Sequence, residues 1–532
     1  MAARTAFFRN LVGISLFPAL PLALLLPGCE VPAPPQSPEP SPPSFSLGTD
    51  EAFDPGTISP YAGDHPEVYR YIEANAEAHL ENVRRWLRQP SISAQDVGVV
   101  EMAELIRDEL LALGFQEAEL VPTDGHPGVW GYYDAGAPHT LMVYMMYDVQ
   151  PVDESQWSVP PFEARIVETE LGEVVMARGA TNQKGPQRAF LNAVEAILAV
   201  HGTLPVNLMI TAEGEEELGS PHYHQIVDLY EERLRTARGV FFPFNSQGPS
   251  GALSMPLGVK GILYTEMEAR GGSHGGPLEA EIHGSWKTLV DAPAWRLVQA
   301  LASLTTPDGN TIAVPGYYDP VRPPTPEEER LVNHMAEGWD DGSLQRGLGV
   351  ERWVGGVSGR EAILRHLYHP TLNINGVGSG YTGEGVMTIL PHRAVAKVDS
   401  RLPPGHHPDG AVQMIREHLD AGGFEDVEIR VLAGYPPANT SVDEAVVQAT
   451  LGVFRKWGRE PQVAPWLAGS APFHQFSDRL GLPLAFSGLG HGAGAHGPDE
   501  YMVVRPAPGS SVAGLSEIEM AYVDILFALG EG

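Results

Sequence analysis

Three acidic or polar segments of the sequence could support hydrolytic chemistry. They are residues 147–151 (Tyr-Asp-Val-Gln-Pro), 177–185 (Ala-Arg-Gly-Ala-Thr-Asn-Gln-Lys-Gly) and 212–220 (Ala-Glu-Gly-Glu-Glu-Glu-Leu-Gly-Ser). The third contains the adjacent carboxylates Glu216 and Glu217, which repel each other unless a proton or a metal ion lies between them. A general base beside a metal ion that activates water is a common hydrolytic arrangement. A lone acidic run usually marks a solvated surface, but three such segments together predict a catalytic centre.

The elements that must position these segments alternate along the chain. Apolar runs typical of strands occupy residues 140–149, 206–211 and 239–244. Helical periodicity marks residues 72–87, 100–113, 189–200, 224–235 and 442–457. Strands that alternate with helices predict a sheet with helices on both faces, and functional side chains then lie just past the carboxyl ends of the strands.

The pattern changes between residues 262 and 432. Strand-like alternation at 263–269, 394–399 and 427–432 surrounds helical stretches at 293–304 and 409–421. This arrangement predicts an inserted α+β domain. Residues 65–261 and 433–530 then form one discontinuous α/β domain around the insertion.

Composition excludes some functions. The 532 residues carry 34 basic and 67 acidic side chains, a formal net charge of −33. A nucleic-acid partner is therefore not expected, because such a protein needs a basic surface to neutralise phosphates. The single cysteine rules out a disulfide within the chain.

The N-terminal sequence is typical of an export signal. Residues 1–28 carry Arg4 and Arg9 before an apolar run that prolines interrupt, and Gly28 then precedes Cys29. This junction resembles a bacterial lipobox and predicts an exported membrane lipoprotein, anchored through a lipidated Cys29 on the periplasmic or extracellular face. An ordinary cleaved signal with an incidental cysteine is the alternative. Residues 29–64 include a Pro-rich stretch that suits a tether.

Ordered motifs across residues 65–530 resemble the dinuclear zinc exopeptidase family of carnosine dipeptidases, carboxypeptidase G and succinyl-diaminopimelate desuccinylase. Besides the three acidic segments, the matching motifs lie at residues 282–285, 380–385, 388–391, 400–402, 468–472 and 495–500. The motif sequences are most similar to those of the dipeptidase branch. The resemblance implies an α/β catalytic domain, with a mixed twisted sheet and helices on both faces. It also implies that residues 262–432 are a lid and dimerisation domain of a homodimer.

The resemblance implies an altered metal site. Members of the family hold two zinc ions with five protein ligands, of which Glu217 and His496 match the private ligands of the second ion. The other three positions are substituted: Met146 replaces a histidine, Asn182 replaces the bridging aspartate, and Asn245 replaces a further aspartate. A shift of one residue would place Phe244 at the last of these.

The substitutions predict that at most one zinc ion binds. A thioether and neutral amide oxygens are poor zinc ligands, so the first ion loses its histidine, its private carboxylate and its bridge. The second ion keeps Glu217 and His496, with Asn182 as a weak third ligand. His491 is either a replacement ligand or a solvated loop histidine. A protein that holds no metal is the alternative.

The remaining functional positions of the family are matched. The resemblance makes Glu216 the general base and Asp148 the aspartate that orients a ligand or tunes that base. Because like charges in one pocket resist ionisation, Asp148 and Glu216 could also share a proton. The other matched residues are His283 for the oxyanion, Arg401 for the substrate carboxylate, and Thr388 and Ser470 for substrate contacts.

Three hypotheses about function follow. The first is a membrane-tethered hydrolase that cleaves dipeptides or N-acyl amino acids with a free carboxylate. The second is a homologue without metal that binds such ligands and leaves them intact. The third is an enzyme without metal that runs a different reaction, with Glu216 and Asp148 as an acid–base pair.

Overall fold

The computed structural model describes residues 41–531, so the predicted signal peptide and Cys29 lie outside the described residues. The helices are α1 (Pro66–Ala74), α2 (Ala76–Arg88), α3 (Val99–Ala112), α4 (Lys184–His201), α5 (Tyr223–Leu234), α6 (Pro293–Ser303), α7 (Pro326–Gly338), α8 (Asp341–Leu348), α9 (Gly359–Tyr368), α10 (Pro408–Ala421), α11 (Ala445–Lys456) and α12 (Leu515–Glu531). The strands are β1 (Glu117–Val121), β2 (Gly128–Tyr133), β3 (Thr140–Met146), β4 (Arg165–Thr169), β5 (Gly172–Met176), β6 (Asn207–Glu213), β7 (Val240–Pro243), β8 (Ser254–Pro256), β9 (Gly258–Val259), β10 (Gly261–Arg270), β11 (Ile282–His283), β12 (Asn373–Ser379), β13 (Ile389–Leu390), β14 (Arg393–Leu402), β15 (Glu428–Tyr435), β16 (Ala438–Asn439), β17 (Gln462–Ala464), β18 (Leu484–Ser487), β19 (Gly492–Ala493) and β20 (Tyr501–Pro506).

A mixed six-stranded sheet forms the centre, in the order β1-β2-β6-β3-β7-β18. β3 runs parallel to both β6 and β7, whereas β1 and β2 are antiparallel. Successive residues of β3 face opposite sides: Val143 and Met145 join the core formed with α4 and α12, and Tyr144 and Met146 join the core formed with α5. This architecture confirms the predicted twisted α/β sheet with helices on both faces.

A second sheet, antiparallel and four-stranded, lies between residues 261 and 435 in the order β12-β14-β10-β15. Helices α6 and α10 pack on it and share a hydrophobic core with its strands, and all members of this core fall within residues 263–429. The division into residues 65–261 with 433–530 and residues 262–432 stays a prediction.

Two features depart from the sequence analysis. The single helix expected over residues 72–87 is two helices, because α1 ends at Ala74 and α2 begins at Ala76. Asn75 lies between them, and its side-chain amide donates to the carbonyl of Tyr71 at 2.8 Å. Helices α7 to α9 lie in a region for which no element was predicted. Within residues 41–531, no helix is long and apolar enough to cross a bilayer.

Candidate functional site

The acidic segments meet at one edge of the central sheet. β3 ends at Met146 and β6 ends at Glu213, and these two residues are register partners in neighbouring parallel strands. The chain therefore leaves both strands side by side. Asp148 follows the first strand and the pair Glu216-Glu217 follows the second, as expected for a site at the carboxyl ends of parallel strands.

Asp148 is fully buried beneath the loop that carries the glutamates. Ser93 Oγ donates to its Oδ2 at 2.7 Å, and the backbone N–H groups of Glu216 and Glu217 donate to its two oxygens at 3.1 Å. Burial and the nearby charge of Glu217 raise the pKa of Asp148 to about 7, against the opposing effect of these hydrogen bonds. The carboxyl therefore holds the loop and is a weaker acid than usual.

Two further carboxyls complete an acidic group around Asp148. Burial raises the pKa of Glu216 well above its usual range, and the charges of Glu217 and Asp148 raise it further. Burial raises the pKa of Glu213 to about 8, although Tyr144 donates to its Oε1 at 2.6 Å. A group of acids with raised pKa values can accept and release protons near neutral pH.

Glu217 lies at the centre of a compact set of donor atoms. Asn182 Nδ2 donates to Glu217 Oε1 at 2.7 Å, and His496 Nε2 lies 3.3 Å from Glu217 Oε2. The Asn182 amide nitrogen is also 3.2 Å from His496 Nε2, and Gln150 Nε2 donates to Glu217 Oε2 at 2.7 Å. The Glu217 side chain is 5% exposed and that of His496 is 59% exposed, so this set opens to solvent on the histidine side.

A buried carboxylate fixes the loop that presents Asn182. The N–H groups of Gly179, Thr181 and Asn182 donate to the side chain of Glu500 at 2.9 to 3.0 Å. Arg178 donates to the same carboxylate at 2.8 Å and to the carbonyl of His496 at 3.3 Å. Glu500 and Arg178 therefore join the loop of Asn182 to the loop of His496.

Two of these donors, a carboxylate and an imidazole, are ordinary zinc ligands, and the third is an amide. Ligands about 2.1 Å from a tetrahedral zinc ion lie about 3.4 Å apart, and the contacts among Glu217, Asn182 and His496 measure 2.7, 3.2 and 3.3 Å. Rotation of the Asn182 amide would turn its oxygen toward the same point. Within residues 41–531 no group of three or more His, Cys, Asp or Glu side chains could hold a metal ion. The set around Glu217 has two such side chains and one amide.

Two of the positions matched to the first zinc ion hold Met146 and Asn245, which are not typical zinc ligands. Met146 is 2% exposed and lies in the apolar core of the α5 face, which also contains Phe242. Asn245 donates to Thr181 Oγ1 at 3.2 Å, and its buried carbonyl oxygen has no hydrogen-bond partner within residues 41–531. A soft thioether in an apolar core and an uncharged amide do not replace a histidine and a carboxylate.

His491 is buried, which corrects the expectation of a solvated loop histidine. The side chain is buried, with Nδ1 2.8 Å from the carbonyl of Gln247 and Nε2 3.2 Å from the hydroxyl of Tyr501. Burial lowers its pKa. Both ring nitrogens therefore have protein partners, and the role of His491 as a replacement ligand stays a prediction.

The four predicted substrate-contacting residues lie on other elements. His283 is exposed and contacts Ser285 at 2.8 Å and Thr388 at 3.4 Å. Ser470 Oγ donates to the carbonyl of Gly261 at 2.9 Å. Within the described chain, none of these hydrogen bonds reaches the Glu217 set. Their predicted roles stay predictions.

Arg401 lies on β14, where its Nε is 3.7 Å from a carboxylate oxygen of Asp399. Burial raises the pKa of Tyr435, the charge of Glu216 raises it further, and that of Arg401 lowers it. Tyr435 is therefore within electrostatic reach of both the predicted base and the predicted carboxylate-binding arginine.

Several residues of the site were not assigned from the sequence, among them three with carboxylate or amide side chains. These three are Gln150, Glu213 and Glu500. Each belongs to a motif that the sequence analysis singled out. Their roles, however, depend on hydrogen bonds to residues that lie 67 to 322 positions away in the sequence. A polar residue inside a matched motif was the only signal available.

Known proteins resemble this chain over most of its length. A Beta-Ala-His dipeptidase from Rattus norvegicus is 26% identical over 412 residues, covering 72% of this chain and 80% of that protein. A Cys-Gly metallodipeptidase from Schizosaccharomyces pombe is 26% identical over 373 residues, covering 66% of this chain and 75% of that protein. Both relatives belong to the dipeptidase type expected from the motifs.

A solved structure supports both the fold and the family. The M20 family metallo-carboxypeptidase Sso-CP2 from Sulfolobus solfataricus matches with a TM-score of 0.76 and 32% identity, covering 85% of this chain and 99% of that chain. The model of peptidase family M20/M25/M40 matches residues 142–508, which include the acidic segments and His496. The chain therefore belongs to peptidase family M20/M25/M40, as a dipeptidase-like member of these hydrolases.

Proposed function

We propose that this protein hydrolyses dipeptides or N-acyl amino acids with a free carboxylate at a site that holds a single zinc ion. The observation that carries the proposal is the close set of donors on Glu217, Asn182 and His496, next to Glu216. The spacing suits one tetrahedral ion. The apolar surroundings of Met146 argue against a second ion beside it.

In this proposal Glu217, His496 and the oxygen of Asn182 hold the ion, which supplies Lewis-acid activation of the scissile carbonyl when it is bound. Glu216 takes a proton from the attacking water and delivers it to the leaving amine. Asp148 keeps Glu216 in place through its hydrogen bond to the backbone N–H. Gln150 fixes the orientation of the Glu217 carboxylate.

The substrate class rests on the printed activities of the relatives and on one side chain. The two relatives are named for Beta-Ala-His and for Cys-Gly, which are both dipeptides. A planar guanidinium such as that of Arg401 pairs with a carboxylate through two parallel hydrogen bonds. His283 and Thr388 contact each other and would meet the oxyanion and the substrate, with Ser470 as a further contact.

We further propose that the protein is a homodimer and is exported to a bacterial membrane through a lipidated Cys29. Exposed apolar side chains on the segment 262–432 support the dimer, since Trp286, Leu289 and Trp295 are 53%, 79% and 61% exposed. The export signal and the Pro-rich tether support the membrane location. Loss of palmitate labelling in Cys29→Ser tests the anchor, and light scattering tests the dimer.

One observation favours a second candidate, a ligand-binding homologue without metal. Asn182 and Gln150 both donate to Glu217, so this carboxylate has partners in the absence of any ion. A buried carboxylate that is already hydrogen-bonded gains less from binding a metal. The metal content of the purified protein separates the two candidates.

Cleavage of Cys-Gly and Beta-Ala-His by the zinc-loaded protein tests the proposal, with Glu216→Gln as the informative variant. We expect Glu216→Gln to retain zinc and to lose cleavage by about 100-fold or more. Glu170→Gln, which changes an exposed glutamate, is the matched control and should cleave at the normal rate. Cleavage that survives in Glu216→Gln would contradict the role of the base, and no cleavage by the normal protein would favour the second candidate.

A further inference from the structure

Outside the catalytic cluster, an apolar pocket of about 340 Å³ lies among α8, α9 and the segment between them. The side chains that form its wall include Trp339, Trp353, Leu344, Leu348 and Val357. α8 contains no buried residue, and its Leu344 and Leu348 are 39% and 69% exposed. Residues four apart share one face of a helix, so α8 presents its leucines to the pocket rather than to a core.

One carboxylate fixes both aromatic rings of this pocket. Asp341 accepts hydrogen bonds from the indole nitrogen of Trp339 at 2.8 Å and from that of Trp353 at 2.6 Å. It also accepts from the N–H of Gly359 at 2.7 Å, where α9 begins. The shape of the pocket is therefore set by the protein itself, which lowers the entropic cost of binding a ligand.

A basic cleft of about 240 Å³ adjoins the apolar pocket, because Val354, Arg365 and His366 line both. Lys260 and His369 also line this cleft, and no Asp or Glu does. The chain as a whole has 67 acidic and 34 basic side chains. The cleft therefore has basic groups and no acid, although the chain as a whole is acidic.

Burial, and to a smaller extent repulsion among the basic groups, lowers the pKa values of three of these side chains. Burial lowers the pKa of His369 to about 4, with further lowering by Arg365 and Lys260, and burial and Lys260 lower the pKa of His366. Burial and the charge of Arg401 lower the pKa of Lys260 to about 7, although its Nζ donates to the carbonyls of His366 and His369 at 2.6 and 2.8 Å. An anion in the cleft would relieve this repulsion.

We propose that the pocket and the cleft together bind a small amphipathic anion. Its apolar chain or ring lies between Trp339 and Trp353, and its carboxylate or phosphate group meets Arg365. The two volumes together fall in the range of about 300–1,000 Å³ that is typical of small-molecule sites. Neither the pocket nor the cleft is lined by Glu216, Glu217 or His496. This ligand site is therefore distinct from the catalytic cluster formed by those three residues.

Isothermal titration calorimetry of the full protein with sodium octanoate tests the proposal. We expect octanoate to bind, 1-octanol to bind at least about tenfold more weakly, and octylammonium to show no binding, because charge-assisted hydrogen bonds to Arg365 hold the anionic group. Octyl phosphate distinguishes the two head groups: tighter binding than octanoate identifies a phosphate ligand, and weaker binding a carboxylate. Either result supports the site, whereas equal binding of octanol and octanoate would overturn it.

Variants locate the binding site. Arg365→Gln should weaken octanoate binding at least about tenfold, and so should Leu348→Glu, which places a like charge at the exposed mouth of the pocket. Arg360→Gln, on the same helix but paired with Asp50 and outside both parts, is the matched control and should bind normally. Equal binding by the Arg365 and Arg360 variants would show that octanoate binds elsewhere.

Discussion

Replacement of Asp148 by asparagine should change how stability depends on pH. In the folded protein the carboxyl keeps its proton up to a pKa of about 7, against an ordinary value of 3.8. Between these values the folded state binds more protons than the unfolded state, so the free energy of unfolding falls as the pH rises. The total fall in the free energy of unfolding is at most about 4 kcal/mol, because each unit of pKa difference contributes about 1.36 kcal/mol. The Asp148→Asn variant has no ionisable group at this position, so its free energy of unfolding does not fall in this way.

Urea denaturation in EDTA at pH values from 4.5 to 7.5 measures the effect. The free energy of unfolding of Asp148→Asn, relative to the normal protein, should rise by several kcal/mol across this range. The amide places its NH₂ against the donors Ser93, Glu216 or Glu217, which lowers stability equally at every pH. The test is therefore the slope of this difference in unfolding free energy against pH. Asp443→Asn, which changes an exposed aspartate, is the control and should show no slope. A flat difference would mean that Asp148 is ionised throughout, and the reasoning from burial and repulsion would be wrong.

Three further predictions concern the metal and the substrate. Asn182→Asp should bind zinc at least about tenfold more tightly in chelator competition, because a carboxylate adds charge; an unchanged affinity would exclude residue 182 as a ligand. Adding Met146→His and Asn245→Asp to this variant should create a second zinc site, detectable as a second equivalent by elemental analysis, and failure would count first against the match of Asn245. Arg401→Gln should raise KM about tenfold for a dipeptide but not for its C-terminal amide; equal effects on both substrates would contradict carboxylate binding.

Three strands of the central sheet could be predicted because they are apolar runs with turns after them. β3 and β7 lie within predicted stretches, and β6 extends two residues past one; Asp148 follows β3, and Glu216 and Glu217 follow β6. The site could be predicted to this extent because neighbouring parallel strands bring their carboxyl ends together.

Other features depend on contacts that sequence periodicity does not contain. The helix break at Asn75 arises where the apolar spacing continues without interruption, and the polar partners of His491 come from residues 10 and 244 positions away. The pocket between α8 and α9 was missed because α8 buries no side chain and so carries no core pattern. Such features are set by tertiary packing rather than by local preference.

Zinc stoichiometry tests the central claim most directly. After dialysis against zinc and then against buffer, elemental analysis of the normal protein should find one equivalent per chain, and His496→Ala should retain much less. His201→Ala, which changes a histidine at the end of α4 outside the site, should keep the full equivalent. No retained zinc in the normal protein, or two equivalents, would contradict a single ion held by Glu217, Asn182 and His496.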